Sequence, residues 1–215
     1  MEIVWLGHSC FRIRGREATV VMDPCPPKSG YAIGKPTADI VTISHAHENH
    51  NFTKAVAGSP TVLDGAGEYE IHGAFITGIQ TYHDATKGSE RGKNLAWVVE
   101  MEEIRVCHLG DLGHAPTADQ VEEMVGCDIL LVPVGGGTTI DGAKAAEIVN
   151  TIEAKLVVPM HYQTDAHKDG LETAERFLKE MEVKAVEPQP KLQITRSAIP
   201  TEMQVVMLDY KGRQP

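Results

Sequence analysis

Apolar positions in the first hundred residues fall into short runs separated by glycine, proline and charge. Residues 2–6 (EIVWL), 10–14 (CFRIR) and 18–22 (ATVVM) are rich in β-branched and apolar side chains, and Gly7 and Gly15 punctuate them. Runs of this kind predict strands joined by tight turns. Asp23-Pro24-Cys25-Pro26-Pro27 stops the third strand, because proline has no N–H to offer a ladder. Residues 39–44 (DIVTIS) predict another buried strand and 52–57 a short helical segment. Strand-like stretches follow at 61–63, 68–71, 74–81, 95–101 and 104–108.

Beyond residue 127 the rhythm changes. Residues 128–134 (DILLVPV) form a continuous apolar run, as in a strand covered on both faces. Within 141–152, Ala145, Ile148 and Ile152 share one helical face, and Ala143, Ala146 and Val149 another. A strand at 156–160, a helix at 170–181 and strands at 192–195 and 203–208 complete the pattern. A mainly β first half and a strand–helix second half point to one domain over residues 1–215, with two sheets packed together and helices outside. Periodicity alone separates α+β from α/β no further.

The composition is that of an ordinary globular protein, and the formal net charge of -10 changes the picture only for partners. Phosphates would be repelled except at a local basic patch, so neither nucleic acid nor an anionic membrane is expected to bind. Residues 1–6 run into Gly7-His8-Ser9 without the basic start and apolar stretch of a signal peptide. The four cysteines are scattered, with no CxxC pair, and are expected to be reduced. The expected compartment is the cytoplasm and the expected partner a small-molecule substrate; a homo-oligomer is left open.

The chemistry gathers where predicted strands end. Ser44-His45-Ala46-His47-Glu48-Asn49-His50 puts three histidines on one loop just after the strand at 39–44. Neutral imidazole is a good ligand for zinc and similar metals. His83 follows the strand at 74–81, and His161 the strand at 156–160. Asp111 follows the strand at 104–108, between Gly110 and Gly113, which let the backbone turn and present the carboxylate. One histidine at such a place is more often structural. Their repetition at strand ends favours a site, because sheet-based sites collect residues there.

These residues resemble a known pattern. HAHENH (45–50) is similar to the HxHxDH signature of the metallo-β-lactamase superfamily, and His83, Asp111 and His161 resemble its later ligands in order and context. The likeness also covers GHS at 7–9, MDP at 22–24, HLGD at 108–111 and PMHY at 159–162. These details are most like a group of small metal-dependent hydrolases similar to L-ascorbate-6-phosphate lactonase. The resemblance implies an α+β fold, an αββα sandwich of two mixed sheets with helices on the outer faces. It also implies one or two divalent metals at a sheet edge, Zn2+ first, with Mn2+, Ni2+ or Fe2+ as alternatives. His45, His47 and His83 would hold one ion, and His50, His161 and the residue at 49 the other, with Asp111 bridging.

The signature has aspartate at 49, where this chain has Asn49. A neutral amide can coordinate but brings no charge. Around the ligands, Asp23, His8 and His108 are expected to orient or support them. Lys87, Arg91 and Lys93, in the loop after His83, offer cations for an anionic substrate, although a solvated loop explains them equally. Gly135-Gly136-Gly137 ahead of a helix is either an anion cradle or the approach to an N-cap at Thr139 or Asp141. His72 and His167 read as surface residues. The expected reaction is metal-assisted hydrolysis of a small anionic ester, lactone or phosphoester. Asp111 would orient the attacking hydroxide, and His114 or His8 would help the leaving group. The alternative is a weakly catalytic or inactive metal- or ligand-binding protein, marked by Asn49.

Overall fold

The computed structural model describes residues 1–167, 170–184 and 186–210. One mixed sheet holds β1 (Glu2–Gly7), β2 (Cys10–Arg14), β3 (Thr19–Met22), β4 (Ile40–Thr42), β5 (Thr61–Leu63) and β12 (Leu192–Gln193), in the order β12-β1-β2-β3-β4-β5. The other holds β6 (Gly67–Ile71), β7 (Ala74–Tyr82), β8 (Lys93–Met101), β9 (Ile104–His108), β10 (Ile129–Pro133), β11 (Leu156–Met160) and β13 (Gln204–Val205), in the order β13-β11-β10-β9-β8-β7-β6. Among the described residues, three α-helices follow the first nine strands: α1 (Ala118–Met124), α2 (Gly142–Ile152) and α3 (Glu175–Glu180).

The side-chain period of two explains why several strands are apolar at every position. In β1, Ile3 and Trp5 join the core between the sheets, with Phe11, Met22, Trp97, Val106 and Leu131. Val4 and Leu6 face the other way and pack with Tyr31, Ile33, Ala55 and Val56. On the far side of the second sheet, Cys107, Leu130, Val132 and Val157 pack against Met124, Ile148, Val149, Ile152 and Phe177 of the three helices. A fully buried side chain as large as Trp97 stabilises by roughly 1.5–3 kcal/mol relative to an exposed one.

The fold is thus an α+β sandwich of two mixed sheets, but the expected helices on both outer faces appear on one. The first sheet is covered instead by irregular chain with short 3-10 turns at Pro27–Ser29 and Thr53–Ala55. Pro24, Pro26 and Pro27 withhold three N–H donors at the start of that stretch. Helix α1 was not predicted, since it buries only Met124 and so carries little apolar periodicity. It is nucleated by a capping box between Thr117 and Gln120. The helix expected over 170–181 is confined to Glu175–Glu180, and the two closing strands are shorter than predicted. No helix among the described residues is long and apolar enough to cross a membrane.

Strand direction is what positions the site. β1 and β3 are each antiparallel to β2, and β4 is parallel to β3, so β1, β3 and β4 run the same way. β7 and β9 are each antiparallel to β8, while β10 and β11 are parallel to β9. The carboxyl ends of all these strands therefore gather at one edge of each sheet. The residues just beyond them are His8, Asp23, His45, His83, Asp111 and His161.

Candidate metal centre

Asp111 is the hub. Its Oδ2 lies 3.2 Å from His50 Nε2, 3.3 Å from His83 Nε2, 3.3 Å from His161 Nε2 and 3.9 Å from His45 Nε2. Its Oδ1 accepts a hydrogen bond from Ser9 Oγ at 3.4 Å, and its backbone N–H donates to Asn94 Oδ1 at 2.9 Å. The turn that presents it needs both neighbouring glycines. Gly110 has φ +57, and a Cβ there would lie 2.5 Å from Asn94 Oδ1; one on Gly113 would lie 2.4 Å from the His83 carbonyl carbon.

Behind the imidazoles, Asp23 fixes which nitrogen faces the centre. It is fully buried at the end of β3 and accepts from Ser44 N–H at 2.7 Å and Ser44 Oγ at 2.5 Å. It also lies 2.8 Å from His50 Nδ1, while Ser44 Oγ lies 2.8 Å from His45 Nδ1. The Nδ1 atoms of His45 and His50 are thereby engaged, leaving Nε2 of each to face Asp111. A carboxylate or hydroxyl behind an imidazole is the usual means of orienting a metal ligand.

The residues fit a metal. One ring nitrogen from each of His45, His47 and His83 lies within 4.8 Å of the others, and their ring centroids are 4.6–5.0 Å apart. An ion with bonds of about 2.0–2.1 Å sets its ligand nitrogens roughly 3.4 Å apart, so the trio needs only a small closure. His45 Nε2 is buried without a hydrogen-bond partner, a costly arrangement for a polar atom unless something else meets it. Three residues of the centre, His8, Asp23 and His161, have φ of 54°, 44° and 50°, left-handed backbone of the kind that accumulates at functional sites.

The centre is also electrically tuned. Burial works against a charge on His50, but Asp111 and Asp23 overcome it and push its pKa up to about 10. Burial, with the charge of His50, pushes His45 down to about 3. Burial works against ionised Asp111 too, yet His161 and His50 hold it well below the usual carboxylate range. For the metal-free protein the signs are opposite. Stability from His50 is present below its unfolded value near 6.5 and lost as pH rises through about 10. Stability from neutral His45 is present above about 6.5 and lost as pH falls through about 3. Metal-free protein is therefore expected to be most stable near pH 6.5, and metal, which needs His50 deprotonated, to flatten the alkaline limb. Thermal melting across pH with and without metal checks this; a metal-free profile that climbs steadily to pH 10 contradicts it.

The centre opens into a cleft of about 290 Å³, lined by His8, His47, Asn49, Arg91, Thr138 and His167 among others. Of the three expected cations, Arg91 lines it; Lys87 and Lys93 do not. Asp84 holds the loop that carries Arg91, accepting hydrogen bonds from the N–H groups of Thr86, Gly88, Glu90 and Arg91 and from Thr86 Oγ1. Glu48, next to Asn49, is exposed and paired with Lys28.

Two expectations change. His114 does not reach the cleft: its Nε2 accepts from Tyr82 N–H at 3.1 Å and its Nδ1 is engaged by Ala115 O at 2.7 Å. With both nitrogens held by backbone, it cannot serve a leaving group. His167, read from sequence as a surface residue, lines the cleft, with its ring 5.5 Å from that of His8. Its loop follows His161 by a few residues, and nothing in the local sequence sets it apart from His72. His108 clamps the centre from behind, accepting from Gly110 N–H through Nδ1 and meeting Ser9 O through Nε2. At the glycine run, Asp141 caps α2 by accepting from Lys144 N–H at 2.9 Å, so a carboxylate already occupies the helix start.

Comparison with known proteins agrees with this fold. The Beta-lactamase superfamily domain matches residues 2–161. A candidate Zn-dependent hydrolase of the metallo-beta-lactamase superfamily from Thermotoga maritima has a similar structure, with TM-score 0.81 and 39% identity, covering 96% of this chain and 97% of that one. A UPF0173 protein of Pyrococcus furiosus is 30% identical over 209 residues, 86% of this chain and 93% of its own. A UPF0173 metal-dependent hydrolase of Methanoculleus marisnigri is 30% identical over 204 residues, 83% of this chain and 88% of its own. A fold, a ligand-like constellation and a family match over most of the chain thus coincide: the protein belongs to the metallo-β-lactamase superfamily.

Proposed function

We propose that this chain is a metal-dependent hydrolase acting on a small anionic ester, lactone or phosphoester. The observation that carries the reading is the convergence of imidazole nitrogens on one Asp111 oxygen at the floor of a cleft with an arginine in its wall. His45, His47 and His83 would hold one divalent ion, with zinc favoured by the imidazole-rich donor set. Asp111 would stand between that ion and a second position at His50 and His161. When bound, such an ion supplies Lewis acidity and makes water acidic enough to act near neutral pH.

The chain's own groups do the rest. Asp111, held ionised, accepts a hydrogen bond from the attacking water and aims it, while Ser9 steadies the other carboxylate oxygen. Arg91 meets the anionic group of the substrate, and Asp84 fixes the backbone of the loop that carries it. His167 takes the position once expected of His114, an imidazole able to give the leaving group a proton.

The test pairs each anionic lactone or phosphoester with a neutral analogue, after metal loading. Losing a charge-assisted hydrogen bond costs about 1.5–3 kcal/mol, so Arg91→Ala should raise KM for the anionic member roughly 10- to 100-fold. KM for the neutral analogue should stay unchanged. Equal effects on both members would remove the anionic substrate class, and no turnover by metal-loaded protein would favour the binding-protein alternative.

A further inference from the structure

The second metal position has a ligand that the signature does not contain. We infer that His8, together with His50 and His161, binds the second ion, supplying a nitrogen donor where Asn49 has replaced a carboxylate. This rests on the proposed hydrolase reading and says how its second site is built.

One ring nitrogen each from His8, His50 and His161 lies within 4.8 Å of the others, as in the trio of His45, His47 and His83. All three residues are buried, and the His8 ring lies 4.3 Å from that of His161 and 5.0 Å from that of His50. The backbone holds them in step: His161 N–H donates to the His8 carbonyl at 3.2 Å, and the Trp5 indole N–H donates to the same oxygen at 2.9 Å. His8 sits in left-handed backbone between β1 and β2, so its ring is carried into the cleft by a strained turn.

What its ring meets there narrows its use. The side chain is almost wholly buried, yet it lines the cleft beside His50 and His161, where an incoming ion can reach it. A competing trio, Asp23 with His45 and His50, also has its donors close together. The Asp23 oxygens, however, are already taken by Ser44 and His50 behind the ring plane of the ligands. Asn49 lines the same cleft but offers a neutral oxygen. With His8 the second ion would have three imidazoles and Asp111, a four-donor set suited to zinc or cobalt.

The test uses the whole protein, stripped of metal and titrated with Co2+, following heat and the visible absorption of the ion. Wild type is expected to bind two ions of unequal affinity. His8→Ala should keep the first and weaken the second at least tenfold, with loss of its absorption band. Alanine is strained at a left-handed position, so His8→Gly, which suits that backbone, guards against misfolding. Millimolar imidazole should partly restore the second ion in His8→Gly, and adding Asn49→Asp to that variant should restore it more fully. His47→Ala should weaken the other ion instead. A second ion held by His8→Gly as tightly as by wild type overturns the inference. So does a wild type with one ion, or equal weakening of both ions, which marks a packing role. Protein that binds no Co2+ at all fails the hydrolase reading itself, and His47→Ala tells the two failures apart.

Discussion

Asp111→Asn should leave a folded protein that has lost its metal and, with it, hydrolysis. The Oδ2 atom is within 3.3 Å of Nε2 on His50, His83 and His161, so one substitution withdraws a negative charge that lies against both candidate ion positions. An asparagine at 111 would keep the size of the side chain and the backbone N–H that meets Asn94, so the turn should persist. Losing a group behind the ligands typically costs 10- to 100-fold in metal affinity. A group placed between the ions should cost more than about 100-fold, a difference readable by competition with a chelating dye. The metal-free variant should also lose about 2 kcal/mol near pH 6.5, because protonated His50 would keep only Asp23 as a counter-charge. Retention of tight metal binding by Asp111→Asn would show that the carboxylate is not part of the centre.

Asp23→Asn tests the layer behind. This carboxylate touches no part of the cleft, yet it accepts from two donors of Ser44 and holds His50 Nδ1. An amide in its place could accept from some of these donors but would bring no charge, and one NH2 would face a donor. Metal affinity should fall about 10- to 100-fold. Melting temperature should fall as well, since a fully buried group would be left imperfectly paired at a cost of roughly 1–3 kcal/mol. The two substitutions differ in a telling way: Asp23→Asn should recover activity at high metal concentration, and Asp111→Asn should not. Recovery in neither would mean that Asp23 does more than orient.

The strands of this protein were legible because its apolar runs are short and sharply bounded. The runs at 10–14, 61–63, 104–108 and 156–160 coincide with β2, β5, β9 and β11. Helix α1 escaped because a capping box, not an apolar face, marks it, and one buried methionine gives no period. The strand-end histidines were legible for a related reason: the segments that precede them are buried strands of common direction. What escaped was how backbone engages each ring. His114 stands three residues after Asp111, yet Tyr82 and Ala115 consume its nitrogens. His8 and His167 read as support and surface, and only the meeting of distant turns brings them to the cleft. Such meetings depend on strand order, which the local pattern does not encode.

The shared direction of β1 and β4 in one sheet, and of β7, β9 and β11 in the other, has a consequence for how the centre is born. Its members are spread along the chain from His8 to His161, those of the first sheet (His8 to His50) preceding those of the second (His83 to His161). During synthesis the trio of His45, His47 and His83 leaves the ribosome well before Asp111 and His161. An ion captured early would find three imidazoles without Asp111, while one captured late would be held across both sheets at once. Metal acquisition should therefore be a late event that clasps the two halves of the sandwich. The metal-loaded protein should then resist separation of its sheets in a way that the local stability of either sheet does not foretell.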